Sequence, residues 1–399
     1  MDCTKYYRIT MKILMVLEKD FPPDTRVQNE AESLIKAGHD VYVAAYSRKK
    51  ENLEGEVLDN KVVVFRKKIS SLLIKSSVGA LKVPLYFNFW RKYLSELIHN
   101  NSFEAIHIHD LPLAQVGVEM SKKYNIPIVL DLHENWPAHM EMATHTNTFV
   151  GKLLSSNKKW RLYEKKMTQE ADAVITVVEE MRDRVAALGI NKEKLSIVSN
   201  TLEIDKFQLP ELKPDPNYIT MLYAGGINLH RGVQVVIKAI PLLKEKYNNL
   251  RFWIIGAGSY ESYLKELLKE LNIEDYVQFL GWRPHKEIAA HLMQSDIALI
   301  PHLKSEQTDN SSPNKLYQYM YANKPILASN CNSVQRVIES ENVGIAYQHD
   351  DEKDFAKKFE YLVENKDAFK KGHEIVEDKY TWENSAAKLI EVYQNLKKK

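Results

Sequence analysis

Ile219-Thr220-Met221-Leu222-Tyr223-Ala224-Gly225-Gly226-Ile227-Asn228-Leu229-His230-Arg231-Gly232-Val233 is the stretch that decides the fold. A run of β-forming residues enters two glycines, a short polar loop follows, and an apolar helical pattern occupies Gly232–Lys246. This is a strand, a turn and a helix, and it is a second beginning. The same alternation opens at Lys12–Leu17 and passes through Val41–Ala45, Val62–Phe65, Ala105–Ile108, Ile126–Asp131, Ala173–Val177 and Leu195–Val198. After Ile219–Ala224 it resumes at Arg251–Ile255, Val277–Leu280, Ile297–Ile300, Pro325–Ala328 and Val343–Tyr347. Strands alternating with helices predict parallel sheets covered on both faces. Phe207–Asn217, with Pro210, Pro214 and Pro216 and no periodicity, reads as the linker. The expected fold is α/β, two doubly wound Rossmann-like domains facing a central cleft. Their bounds are 1–206 and 218–378, with the linker at 207–217 and a tail at 379–399.

The bulk numbers agree. A chain of 399 residues exceeds one usual core. Its 44% apolar and 27% charged residues exclude a collagenous, low-complexity or disordered protein. No apolar run reaches the ~20 residues of a membrane span. The start through Asp20 does not read as a signal peptide, because the apolar core Ile13–Leu17 is short and Glu18 ends it. Cys3 and Cys331 cannot form a disulfide framework, which points to a reducing, cytoplasmic setting.

Net charge is +2, so nothing marks a nucleic-acid partner. Between Asp59 and Glu96, however, the chain carries Lys61, Arg66, Lys67, Lys68, Lys75, Lys82, Arg91 and Lys92 and no acid. Tyr86, Phe87, Phe89, Trp90 and Tyr93 crowd its end, and Lys158-Lys159-Trp160-Arg161 with Lys165-Lys166 has the same character. Either these are solvated helix faces, or they dock the protein on anionic headgroups at a membrane surface.

Ligands of doubly wound sheets bind beyond the carboxyl ends of the strands. That rule selects Glu18–Arg26, His109–Asp110, His133–Trp136, Gly225–Gly232, Gly256–Tyr260 and His302–Lys315. Arg26 follows the N-cap candidate Asp24, Arg231 precedes the helix at Gly232, and Lys315 follows the N-cap candidate Ser312 and Pro313. A cation at a helix N-terminus opposes the dipole, so three of them argue for a bound anion, most simply a diphosphate. Gly225-Gly226 would let a ligand approach the backbone closely. Gly256-Ala257-Gly258-Ser259-Tyr260-Glu261 is only a partial dinucleotide fingerprint and reads better as a tight turn. His107 and His109, either side of Ile108, are taken to face opposite sides of a strand and so not to share a metal. His133, beside Glu134 and Trp136, is either a structural histidine or a site residue. Without an Asp-x-Asp, His-x3-His or Cys-x2-Cys pattern, no metal is expected. A serine elbow and a Walker loop are also missing.

Taken in order, these segments resemble the retaining glycosyltransferases of family 4, with the GT-B fold, over nearly the whole chain. Phe21-Pro22-Pro23-Asp24-Thr25-Arg26-Val27, Glu30-Ala31 and Gly38-His39-Asp40-Val41 resemble the family's opening strand, acceptor-side loop and first helix. Ala171–Val177 and Ile197–Asn200 resemble the run into the linker, and Tyr223–Gly226 through Arg231-Gly232 the donor-phosphate loop. Leu280-Gly281-Trp282-Arg283-Pro284-His285 is similar to the loop beside the base, and Ser312–Met320 to the donor-sugar and ribose motif. Tyr380-Thr381-Trp382 resembles the tail that crosses back to the first domain.

The resemblance implies a metal-independent hexosyltransferase-like enzyme of bacterial surface-polysaccharide type. It would move a sugar with retention from a nucleotide-diphosphate sugar to a glycan or lipid-linked acceptor. His133, Arg231 and Lys315 would be catalytic. Gly225, Gly226, Arg283, Asn310, Ser311, Ser312, Asn314 and Gln318 would bind the donor, and Asp24, Arg26, His109 and Asp110 would lie on the acceptor side. Many relatives carry arginine where Gly226 stands and lysine where Arg231 stands, and their paired glutamates fall on Asn310 and Gln318. A sugar-nucleotide epimerase on the same fold would keep the phosphate cations, whereas a non-catalytic nucleotide-sugar-binding protein would lose them. A dehydrogenase is disfavoured, because no glycine loop follows Leu17.

Overall fold

The computed structural model describes residues 10–49, 51–142 and 156–396. Cys3 and the opening of the segment weighed as a leader lie outside them. The chain divides into two units, 1–199 with 385–399 and 200–384. The proline-rich stretch 207–217 thus belongs to the second unit, whose start pairs with its end: Leu202 N–H donates to Tyr380 O at 3.0 Å and Trp382 N–H to Leu202 O at 2.8 Å.

The first unit carries an eight-stranded sheet in the order β3-β4-β2-β1-β5-β6-β7-β8. Its strands are β1 Lys12–Leu17, β2 Asp40–Ser47, β3 Asn52–Val57, β4 Val63–Lys68, β5 Ala105–His109, β6 Ile128–Leu132, β7 Ala173–Thr176 and β8 Leu195–Ile197. All neighbours run parallel except β3, which pairs antiparallel with β4 at the edge. Sequence reasoning misses β3, because Asn52-Leu53-Glu54-Gly55-Glu56-Val57 has no apolar alternation and buries no residue fully. Its partner, not its own pattern, makes it a strand. Similarly, β2 and β4 outrun their apolar centres because pairing continues to Ser47 opposite Lys68.

The second unit carries β9 Ile219–Ala224, β10 Leu250–Ile255, β11 Val277–Gly281, β12 Ile297–Ile300, β13 Ile326–Ser329 and β14 Gly344–Tyr347. They form a parallel sheet in the order β11-β10-β9-β12-β13-β14. Side chains two apart share a face. Met221, Tyr223, Phe252 and Ile254 therefore enter one apolar cluster, and Leu222, Ala224, Trp253 and Ile255 the other. This is the two-sided burial that unbroken apolar strands imply.

The aromatic stretch expected to meet a membrane is mostly core. In the helix Leu85–Asn101, Tyr86, Phe87, Trp90 and Tyr93 are buried against the first sheet's cluster, and Phe89 is partly buried. The charges are partly consumed as well. Arg66 is buried, donating to Phe21 O and pairing with Glu56, Lys67 reaches Glu96 at 2.8 Å, and Arg91 reaches Glu119 at 2.6 Å. Helical spacing i, i+3, i+4 turned these aromatics to one inward face. Among the described residues, no helix is long and apolar enough to cross a membrane.

Candidate functional site

In the first unit, the helix Thr25–Lys36 starts where Asp24 caps it, its carboxylate accepting from Val27 N–H at 3.0 Å, while Val27, Ala31 and Leu34 turn inward. Asp24 also pairs with Lys19, so capping accounts for it. Arg26 does face an anion, but one that belongs to the protein. Its guanidinium meets both oxygens of Asp131 at 2.8 and 3.1 Å, Glu30 at 3.0 Å and Val198 O at 2.9 Å. Glu30 stands four residues on and shares a helix face with Arg26. The inference of a ligand phosphate at Arg26 therefore fails.

The reading of His107 and His109 fails too. Residues two apart on a strand point the same way, and the two rings stack with centroids 4.4 Å apart. His107 Nδ1 lies 2.8 Å from the Tyr393 hydroxyl. Glu30, His107, His109 and Asp131 form a buried group whose donor atoms all lie within 4.8 Å. The donor types suit a transition-metal ion. The Arg26 guanidinium already meets two of its carboxylates, Glu30 and Asp131, and no motif spacing in the sequence had signalled this group. Burial lowers both histidines, His109 to about 3. Burial beside Asp131 raises Glu30 to about 8, whereas Arg26 and His133 overcome burial and hold Asp131 far below the usual carboxylate range.

His133 follows β6 with both ring nitrogens against carboxylates. Nε2 is 2.8 Å from Asp131, Nδ1 is 3.4 Å from Asp110, and the His133 N–H donates to Asp110 at 3.2 Å. Burial opposes its charge, but Asp110 and Asp131 outweigh burial and raise it to about 9. The ring is an imidazolium at neutral pH. His109, Asp110 and His133 thus come together at the ends of β5 and β6.

In the second unit the helix begins at Val233, one residue later than expected, with Gly232 as its cap. Gly232 has φ +70°, and a Cβ there would stand 1.6 Å from Pro301 O, so no other residue fits. Just before it, Arg231 NH1 lies 3.2 Å from His302 Nε2, and its Nε has no partner. Lys315 opens the short helix Lys315–Tyr321, whose cap position is Asn314 rather than Ser312. Its ammonium is buried without a hydrogen-bond partner and lies 4.1 Å from the Tyr223 ring centroid. A Cβ on Gly225 would come within 2.6 Å of it. Burial and Arg231 push Lys315 well below its usual range, and burial, with Lys315 and Arg231, does the same to His302.

Arg231, Lys315 and Gly225 therefore converge. Sequence reasoning missed Tyr223, whose hydroxyl donates to Gly226 O at 2.7 Å, and the acceptor role of His302. An aromatic beside a glycine pair before a cationic loop was the available signal. Gly226 is open, a Cβ meeting nothing nearer than Asn228 Nδ2 at 3.6 Å, so packing does not require glycine there. Asn310 donates to Glu306 O at 2.7 Å, Ser311 O accepts from Ser333 at 2.5 Å, and Ser312 is buried near Tyr317. Asn314 is exposed and Gln318 partly so. Arg283 lies at the end of β11 beside Glu287, next to the 74% exposed Trp282.

Two family profiles tile the chain, Glycosyltransferase Family 4 over residues 24–206 and Glycosyl transferases group 1 over 205–396. The chain belongs to glycosyltransferase family 4 and has the GT-B fold. Among curated proteins it is 27% identical to the amylovoran biosynthesis glycosyltransferase AmsK of Erwinia amylovora, over 39% of each chain. The matched region spans about half the length, or less, of the first curated relatives. Sucrose-phosphate synthase of Thermosynechococcus elongatus superposes with a TM-score of 0.76 at 15% identity, covering 97% of this chain and 99% of that one. Anabaena Alr3699/HepE, solved with UDP-glucose, superposes with a TM-score of 0.70 at 15% identity, covering 97% and 100%.

Proposed function

We propose that this protein transfers a sugar, with retention at the anomeric carbon, from a nucleotide-diphosphate sugar to an acceptor hydroxyl. The observation that carries this reading is the Lys315 ammonium, buried beside Arg231 and, among the described residues, without a hydrogen-bond partner. A buried cation left unpaired is costly, and a diphosphate supplies the missing charge. As the donor's bond breaks, negative charge grows on the departing diphosphate, and Arg231 with Lys315 stabilises it without a metal. The resemblance to the family implies attack on the face the diphosphate leaves, with that phosphate taking the acceptor's proton. His133 offers an imidazolium at the ends of β5 and β6.

UDP is the first donor nucleotide to try, because the Anabaena relative is solved with UDP-glucose. Surface-polysaccharide assembly is the first pathway class, because of the amylovoran enzyme. The experiment is a binding screen of nucleoside diphosphates, then hydrolysis and transfer assays with the matching sugars, with and without chelator. Binding of no nucleoside diphosphate refutes the donor site. Epimerised sugar nucleotide as the only product supports the epimerase.

A second reading concerns where the acceptor is met. Leu72, Val83 and Leu85 are 80%, 42% and 59% exposed, among exposed Lys68, Lys75 and Lys82. Leu162, 60% exposed, stands among exposed Lys158, Lys159, Lys165 and Lys166. These leucines, rather than the buried aromatics, would enter an anionic membrane surface at which a lipid-linked acceptor is presented.

A further inference from the structure

β9 and β12 lie side by side in the second sheet, and the loops leaving their carboxyl ends are tied together. Leu303 N–H donates to His230 O at 2.9 Å, and Gly232, lacking a Cβ, lets Pro301 O approach. Between these two contacts stands His302, 3% exposed. Its backbone oxygen accepts from the hydroxyl of Ser329, the last residue of β13, and from the Cys331 thiol. The backbone at His302 is thus held from both neighbouring strands.

Its side chain faces Arg231, with Nε2 3.2 Å from NH1. A guanidinium offers only donors, so Nε2 is the acceptor and the ring's proton sits on Nδ1. Burial, with Lys315, Arg231 and His230 around it, holds the imidazole well below its usual titration range. The accepting lone pair is therefore present throughout the neutral range.

A neutral partner does what a carboxylate cannot. Arginine is long and flexible, and ordering it costs side-chain entropy unless a partner fixes it beforehand. A carboxylate would fix the guanidinium and cancel its charge as well. Arg26 shows that outcome, its guanidinium spent on Asp131 and Glu30. Imidazole takes one N–H of the Arg231 fork and no charge, which leaves the rest of the fork for an anion.

We propose that His302 is the positioning residue for Arg231: its Nε2 lone pair aims the guanidinium at the donor's diphosphate and leaves the positive charge whole. This rests on the transferase reading above.

The test is titration calorimetry on the full chain with UDP, GDP and ADP, in wild type and in variants at position 302. His302→Leu fills the space but offers no acceptor, and should weaken the best-bound diphosphate about 10-fold, the scale of one hydrogen bond to a charged group. His302→Gln should stay within about 3-fold of wild type, because its amide oxygen is a neutral acceptor. His302→Glu should bind no better than His302→Leu, since its carboxylate would hold Arg231 as Asp131 holds Arg26. In an Arg231→Ala background, His302→Leu should add no further loss, because a residue that acts only through another then has nothing to act on. Circular dichroism checks folding, and if His302→Leu unfolds, the difference between glutamine and glutamate decides. Wild-type affinity in His302→Leu, glutamate binding as well as glutamine, or a loss that persists without Arg231 would each overturn the role. Wild-type protein that binds none of these diphosphates would strike the donor reading, and the role of His302 with it.

Discussion

The Lys315 ammonium sits 4.1 Å from the centroid of the Tyr223 ring, buried and without a hydrogen-bond partner. The ring face offers a weak electrostatic partner, while Arg231 repels the ammonium and burial removes its water. A charge held under those conditions is poised for an anion. Removing either cation should therefore cost catalysis more than folding. Arg231→Ala and Lys315→Ala are each expected to lower turnover by ~100-fold or more, the scale of a lost transition-state donor. Steady-state kinetics with circular dichroism as the folding control decides it, and full activity in a folded variant would sink the donor site.

Donor binding should also take up a proton. Free Lys315 is held well below its usual range, and a diphosphate reverses that preference. Calorimetry of nucleoside diphosphate binding in buffers of different ionisation enthalpy reads the proton directly. Uptake is expected over the pH range in which the free amine begins to lose its proton, with affinity falling as pH rises through that range, and Lys315→Met should abolish the buffer dependence.

His133 predicts an alkaline limb in stability. Its imidazole titrates near ~6.5 when unfolded and at about 9 when folded. The folded state binds the extra proton, so this stabilisation is complete below the lower value and is lost as pH rises through the upper one. Glu30, raised to about 8, acts in the same direction, so the control is Asp110→Asn rather than pH alone. Nuclear magnetic resonance titration should place His133 lower in that variant, with a weaker alkaline decline in denaturant unfolding. An unchanged His133 titration would contradict the Asp110 contribution.

Gly232→Ala should destabilise the second unit by ~3 kcal/mol or more, because a left-handed backbone and a collision with Pro301 O act together. Denaturant unfolding measures it. Gly226→Ala, where a Cβ makes an ordinary contact with Asn228 Nδ2 at 3.6 Å, is the control and should change stability by under ~1 kcal/mol.

Vesicle sedimentation tests the membrane reading. Binding should rise with anionic lipid, weaken in salt, and fall when Leu72 and Leu85 become serine or when Lys75 and Lys82 become glutamine. Equal binding to neutral and anionic vesicles, or none to either, leaves a solvated surface and favours a water-borne acceptor.

Local patterns settled the architecture of this protein. β1, β9 and β12 coincide with the apolar runs at Lys12–Leu17, Ile219–Ala224 and Ile297–Ile300, because strands buried on both faces must be apolar along their length. The loops at their carboxyl ends were legible for the same reason, and with them Arg231, Lys315 and His133. Which of those groups were free was not legible. Arg26 and Arg231 look alike in sequence, yet Arg26 is neutralised by Asp131, 105 residues away, and Arg231, among the described residues, meets the neutral His302. The aromatics from Tyr86 to Tyr93 likewise read as a membrane anchor until packing turned them inward. Apolar periodicity is a property of neighbours in the chain, so the sequence carries it. The charge state of a buried group depends on what long-range folding brings beside it, and only the tertiary structure decides that.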